Sequence, residues 1–94
     1  MVEKTRKCYI VSVEVTSDTA RTKLLSRLKE YKGLCPINRH CWAILTEQKA
    51  TEVRDDLAQA LEATDRIFVI RSGTEAAWRN TYGPEHTSWL KKYL

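Results

Sequence analysis

Cys8-Tyr-Ile-Val-Ser-Val-Glu-Val15 alternates strictly, with Tyr9, Val11, Val13 and Val15 on one side and Cys8, Ile10, Ser12 and Glu14 on the other. Successive side chains of a strand point to opposite faces, and β-branched residues fit that pleated surface, so the stretch predicts a first strand. Thr16-Ser-Asp18 follows at once. Short side-chain oxygens of this kind accept the orphan amides of a helical first turn, so a helix begins here. Ala20, Leu24, Leu25, Leu28 and Tyr31 then recur at intervals of three and four and form one apolar stripe, predicting a helix over 19–31. Gly33 stands where a left-handed residue commonly ends a helix.

Beyond it, Leu34-Cys-Pro-Ile37 reads as a short strand and Cys41-Trp-Ala-Ile-Leu-Thr46 as a longer one, with Asn38-Arg39 as the tight turn between them. Pro36 has no N–H to give to a ladder, which assigns the short strand to an edge or a bulge. Ala50, Val53, Leu57, Ala60 and Leu61 mark a second amphipathic helix over 49–63, with Glu52, Asp55, Asp56 and Glu62 on its solvated side. Arg66-Ile-Phe-Val-Ile-Arg71 is the last strand, broken by Ser72-Gly73. In this reading Trp42 and Phe68 are core aromatics.

The order β-α-β-β-α-β is that of a ferredoxin-like sandwich, an α+β fold in which two helices cover one face of the sheet. One domain over 1–94 is expected, with a core of about 7–72 and an aromatic-rich extension of about 73–94. Trp78, Tyr82, Trp89 and Tyr93 are too much aromatic surface to leave in water. The extension therefore forms a loop through Gly83-Pro84 and a short helix over 85–92. The tail or a second subunit must cover the other sheet face, and a homodimer is expected.

Composition narrows the classes. Hydrophobic residues at 43% with 30% charged place the chain among globular domains rather than disordered ones. No apolar run approaches the roughly 20 residues a membrane span needs. The first residues lack the apolar core and cleavage site of a signal peptide, so no membrane partner and a cytoplasmic location are expected. Cys8, Cys35 and Cys41 are odd in number, and their spacing matches neither a disulfide framework nor a zinc ribbon; free thiols suit a reducing compartment. The net charge of +4 is uneven: residues 1–41 hold nine Lys/Arg against four Asp/Glu. That excess suits phosphate binding.

Three glycines, at 33, 73 and 83, cannot write a nucleotide-binding loop, and no nucleophile elbow is present. His40 and His86 lack any metal or relay spacing. Glu14 is the residue with chemical potential. It ends the first strand on the Ser12 face, the face that the helices leave bare. Two subunits meeting there would bring two Glu14 carboxylates together, a donor set for a hard cation such as Mg²⁺ that could polarise a phosphodiester. Ser12 would be the polar supporter of that catalytic carboxylate.

The run Tyr9-Ile-Val-Ser-Val-Glu-Val15, the helix ending Leu28-Lys-Glu-Tyr31 and the strand His40-Cys-Trp-Ala-Ile-Leu-Thr46 resemble the small SinR-like proteins of bacteria and phages. So do Ala50-Thr-Glu-Val-Arg-Asp-Asp-Leu57, Asp65-Arg-Ile-Phe-Val-Ile70 and the tail closing on Trp89-Leu-Lys-Lys92. Those proteins are similar in turn to CRISPR-associated protein two and to the virulence-associated D toxins. The resemblance covers Tyr9 to Leu94 and implies a dimer whose sheets face each other. It also implies, in some relatives, metal-dependent cleavage of RNA or DNA, and in others a scaffold that holds DNA without cutting it. Cleaving relatives close the first strand with a Tyr-Asp pair. Here Val13-Glu14 stands in its place, and the glutamate carries its carboxylate one methylene further out. Three functions are therefore expected to compete: a Mg²⁺-dependent endonuclease or endoribonuclease using Glu14, a nucleic-acid-binding dimer, and a protein-interaction subunit. In the second, Lys4, Arg6, Lys7, Arg39 and Arg71 contact phosphates.

Overall fold

A computed structural model describes residues 6–73 and 75–94. Strand β1 (Lys7–Glu14) leads into helix α1 (Asp18–Leu28), then β2 (Gly33–Asn38), β3 (Cys41–Thr46), α2 (Ala50–Ala58), β4 (Arg66–Arg71) and α3 (Pro84–Tyr93). The sheet order is β2-β3-β1-β4. Every neighbouring pair is antiparallel. This is the ferredoxin-like α+β arrangement that the element order predicts, with a third helix added from the tail.

Alternation in β1 sorts its side chains as expected. Tyr9, Val11 and Val13 are buried beneath α1 and α2, where they meet Leu24, Leu28, Trp42, Ile44, Val53 and Leu57. Ser17 caps α1: its backbone is extended, and its Oγ accepts the Ala20 N–H at 3.1 Å. The helix ends at Leu28, earlier than its stripe suggests, and Lys29 closes it in the right-handed region. Gly33 is thus not a helix cap but the first residue of β2, opposite Leu45. A Cβ at Gly33 would lie 2.7 Å from Leu45 Cδ1, so close approach of the strand, not a left-handed turn, requires glycine here.

Strand β2 is an edge strand, and its register slips between Pro36 and Asn38, as the missing proline donor predicts. The turn sits at Arg39-His40, one residue later than expected, because the Asn38 side chain accepts the His40 N–H at 2.8 Å. Helix α2 stops at Ala58 instead of continuing to 63. The chain then tightens, with Ala60 N–H on Leu57 O and Leu61 N–H on Ala58 O, both 3.0 Å. Ala60 and Leu61 still reach the core.

The second sheet face is divided. Helix α3 begins with Pro84 in its first turn and buries Leu90 against Cys8, Cys35, Ala43 and Leu45, covering the β2–β3 side. Ile10 packs against the edge of this cluster, and the rest of the β1–β4 side stays open. Phe68 is 62% exposed and Ile70 51% exposed, so Phe68 is a surface aromatic and not the core residue its apolar strand suggests; Trp42, at 3%, is core. Among the described residues no helix is long and apolar enough to cross a membrane.

Candidate functional site

The open half-face is built by the register of β1 with β4. Ile10 lies opposite Ile70, Ser12 opposite Phe68, and Glu14 opposite Arg66. On the other side of β1, Ser12 faces Cys41 of β3. The face therefore runs from an apolar strip, Ile10, Phe68 and Ile70, to a charged end.

At that end Arg66 Nη1 donates to Glu14 Oε1 at 2.5 Å, with both side chains mostly in solvent. The carboxylate expected to hold a cation thus already has a guanidinium partner. Glu62 and Asp65 lie at the same end but serve the loops. Asp65 Oδ1 accepts from Thr16 Oγ1 at 2.9 Å and from the Thr16 N–H at 3.1 Å. Ser17 Oγ donates to Glu62 Oε2 at 2.8 Å. These bonds tie the β1–α1 connection to the α2–β4 connection. The Glu62 N–H first, and then Thr16, hold the Asp65 carboxyl below the usual range. No group of three or more His, Cys, Asp or Glu among the described residues is placed to hold a metal. Ser12, exposed on the same face two residues before Glu14, lies between Cys41 and Phe68 in the ladder, with no acidic residue opposite it.

The expected phosphate contacts divide between the two ends of the sheet. Arg6 and Lys7 lie where β1 begins, and Arg71 lies where its antiparallel neighbour β4 ends, opposite Tyr9. Arg39 lies at the far end, in the β2–β3 turn, where its carbonyl accepts from Arg21 Nη1 at 3.0 Å. That same Arg21 guanidinium stands 5.9 Å from the Trp42 ring centroid. Lys4 lies outside the described residues. Arg6, Lys7 and Arg71 therefore lie at one end of the sheet, where Arg6 shares a cleft with Glu30, Glu47 and Asp56, and Arg39 with Arg21 lies at the other.

A polar cluster that the sequence did not single out joins the two helices. Arg27 Nε donates to Asp56 O at 3.0 Å, and Arg27 Nη2 lies 3.4 Å from Asp56 Oδ1. Tyr31 Oη donates to Asp56 Oδ2 at 2.8 Å. Burial, and then this bond to Asp56, push the Tyr31 hydroxyl well above the ordinary tyrosine range, so it stays a neutral donor. The cluster fastens α1 to α2 and holds no group poised for reaction.

All three cysteines are free: Cys8 and Cys35 are buried and Cys41 is partly exposed. Burial pushes each thiol up, which makes them poor nucleophiles. His40 is a turn residue. His86 lies in the first turn of α3, where its Nδ1 is buried without a hydrogen-bond partner, and neither histidine joins a relay.

No family model matches the chain, and no curated protein matches it. Among solved structures, the chain is similar to a hypothetical protein, TT1823, from Thermus thermophilus, with a TM-score of 0.68. The match covers 82% of this chain and 94% of that one at 18% identity. At this identity the likeness shows the fold: two chains with few residues in common share the same ferredoxin-like frame.

Proposed function

We propose that the protein is a nucleic-acid-binding homodimer that holds its ligand without cutting it, in a reducing cytoplasm that keeps its three thiols free. One observation carries the reading. Among the described residues Arg6, Lys7, Arg39 and Arg71 have no carboxylate partner, whereas the one candidate catalytic carboxylate, Glu14, has Arg66. Cations without partners can exchange counterions for phosphates, while the guanidinium beside Glu14 offsets part of the carboxylate's charge and weakens its attraction for a metal. The resemblance to SinR-like proteins and to CRISPR-associated protein two favours the same ligand class.

The exposed Phe68 and Ile70 favour a second reading, a protein-interaction subunit. Binding of labelled RNA and DNA, followed by anisotropy between about 50 and 200 mM salt, separates the two. Affinity that falls steeply with salt, and falls further in Lys7→Glu and Arg71→Glu, supports nucleic-acid binding. No binding at the lower salt leaves the protein-interaction role. The same oligonucleotides incubated with Mg²⁺ or Mn²⁺ test the third role. Metal-dependent cutting that Glu14→Ala abolishes would make the protein a nuclease and overturn the non-cleaving reading.

A further inference from the structure

The two edges of the sheet are unlike. Strand β2 carries Pro36 and a register slip, devices that stop an edge from pairing. Strand β4 has neither: its six residues, Arg66–Arg71, pair with β1 without interruption. Ser72 N–H donates to Cys8 O at 2.8 Å, so by alternation the even-numbered positions of β4 turn their backbone groups toward β1. The N–H and C=O of Ile67, Val69 and Arg71 therefore point out of the sheet.

We propose that this free edge joins two copies of the chain, β4 against β4 in antiparallel pairing about a two-fold axis at Val69. The proposal rests on the homodimer reading and specifies its surface. The strand is self-complementary in this register, which an isologous contact demands. Val69 meets its own copy, and Arg71 and Ile67 exchange backbone hydrogen bonds with the partner's Ile67 and Arg71. Phe68 then lies opposite the partner's Ile70, and Ile70 opposite the partner's Phe68. Each exposed apolar side chain gains an apolar cross-strand neighbour, beside Ile10 on the same face. Arg66 then lies opposite the partner's Ser72 and Arg71 opposite the partner's Ile67, with the two arginines on opposite faces of the sheet, so no arginine stands directly across from another. Shifting the register by two residues toward the start of β4 would set Arg66 against the partner's Ile70 and break this match. Stacking of open faces is a different arrangement: α3 already occupies the β2–β3 half of that face.

Light scattering on the eluting protein, whose chain mass is 10.9 kDa, tests the proposal with two variants. Arg71→Pro removes an outward N–H that the isolated chain does not use, at an exposed position. Ser12→Lys places a charge on the open face, one strand in from the edge. The expected result is twice the chain mass for the wild type and for Ser12→Lys, and the chain mass for Arg71→Pro with its far-ultraviolet circular dichroism unchanged. Should Arg71→Pro not fold, the double variant Phe68→Cys, Ile70→Cys decides. These positions form a non-hydrogen-bonded pair across the proposed contact, close enough for disulfides, so a covalent dimer is expected on mild oxidation. A wild-type dimer with no such cross-link, or a dimeric Arg71→Pro, overturns the edge contact and leaves the homodimer standing. A monomeric wild type at its highest soluble concentration overturns both.

Discussion

Arg66 lies directly opposite Glu14 in the β1–β4 ladder, and its guanidinium reaches the Glu14 carboxylate across the end of the open face. The pair is mostly exposed, so its strength is that of a surface ion pair, and the guanidinium acts on Glu14 by offsetting its charge. Glu14→Gln is expected to lower stability by less than about 1 kcal/mol in urea titrations. Mg²⁺ is expected to leave the wild-type melting temperature unchanged, and Arg66→Ala is the variant in which Glu14 attracts a cation with its full charge. A wild type stabilised by Mg²⁺ as much as Arg66→Ala would show that the guanidinium does not weaken that attraction.

Gly33 lies opposite Leu45 in the β2–β3 ladder, close against the Leu45 side chain. A methyl group at Gly33 would meet Cδ1, Cγ and Cβ of Leu45 at 2.7, 2.8 and 2.9 Å, and the nearest of these neighbours is not a free chain end because Leu45 is buried under α3. Overpacking of this kind costs about 1–3 kcal/mol. Gly33→Ala should lose that much in equilibrium unfolding, and Leu45→Ala in the same chain should show a favourable coupling when the two are combined. Strict additivity of the two losses would mean that the contact is not the cause.

Leu90 is the anchor of α3, 2% exposed between Cys8, Cys35, Ala43 and Leu45. Truncating such a leucine costs about 2–5 kcal/mol, and here the loss falls on the docking of one helix rather than on the core beneath α1 and α2. Leu90→Ala should therefore speed the alkylation of Cys8 and Cys35, which the helix shields. Cys41, outside that cluster and partly exposed, should react first in the wild type and change little in the variant. Mass spectrometry of timed alkylation reads all three, and equal acceleration of Cys41 would point to global unfolding instead.

These features differ in how far they were legible. The alternation from Cys8, the helix start within Thr16-Ser-Asp18 and the proline at 36 each report a local constraint; β1 runs Lys7–Glu14, Ser17 is the residue that caps α1, and Pro36 lies in the edge strand. Phe68 was not legible because Ile67, Phe68, Val69 and Ile70 are all apolar. A strand without alternation cannot say which face is covered; that depends on where the tail settles, and α3 settles over β2 and β3. Glu14 was read correctly as a strand-end residue of the bare face, but its partner stands 52 positions away in sequence and is chosen by register. Gly33 misled for a related reason. Glycine serves both helix ends and close strand contacts, and only the approach of Leu45 distinguishes them.

Asp65 offers a test by pH. Its carboxyl accepts the Glu62 N–H at 2.8 Å as well as both Thr16 donors, and these bonds favour the charged form, so the folded value lies below the ordinary one. A depressed folded value means that the unfolded chain takes up the proton first as pH falls. The contribution is thus complete above the ordinary carboxylate value of about 3.9 and is lost as pH drops through the lower folded value. Asp65→Asn removes the charge at every pH. The stability gap between wild type and Asp65→Asn in urea should be widest near neutrality and should narrow steadily below about pH 4. A gap that stays constant down to pH 2 would mean that Asp65 acts through its shape and neutral hydrogen bonds, and that the tie between the two loops does not depend on charge.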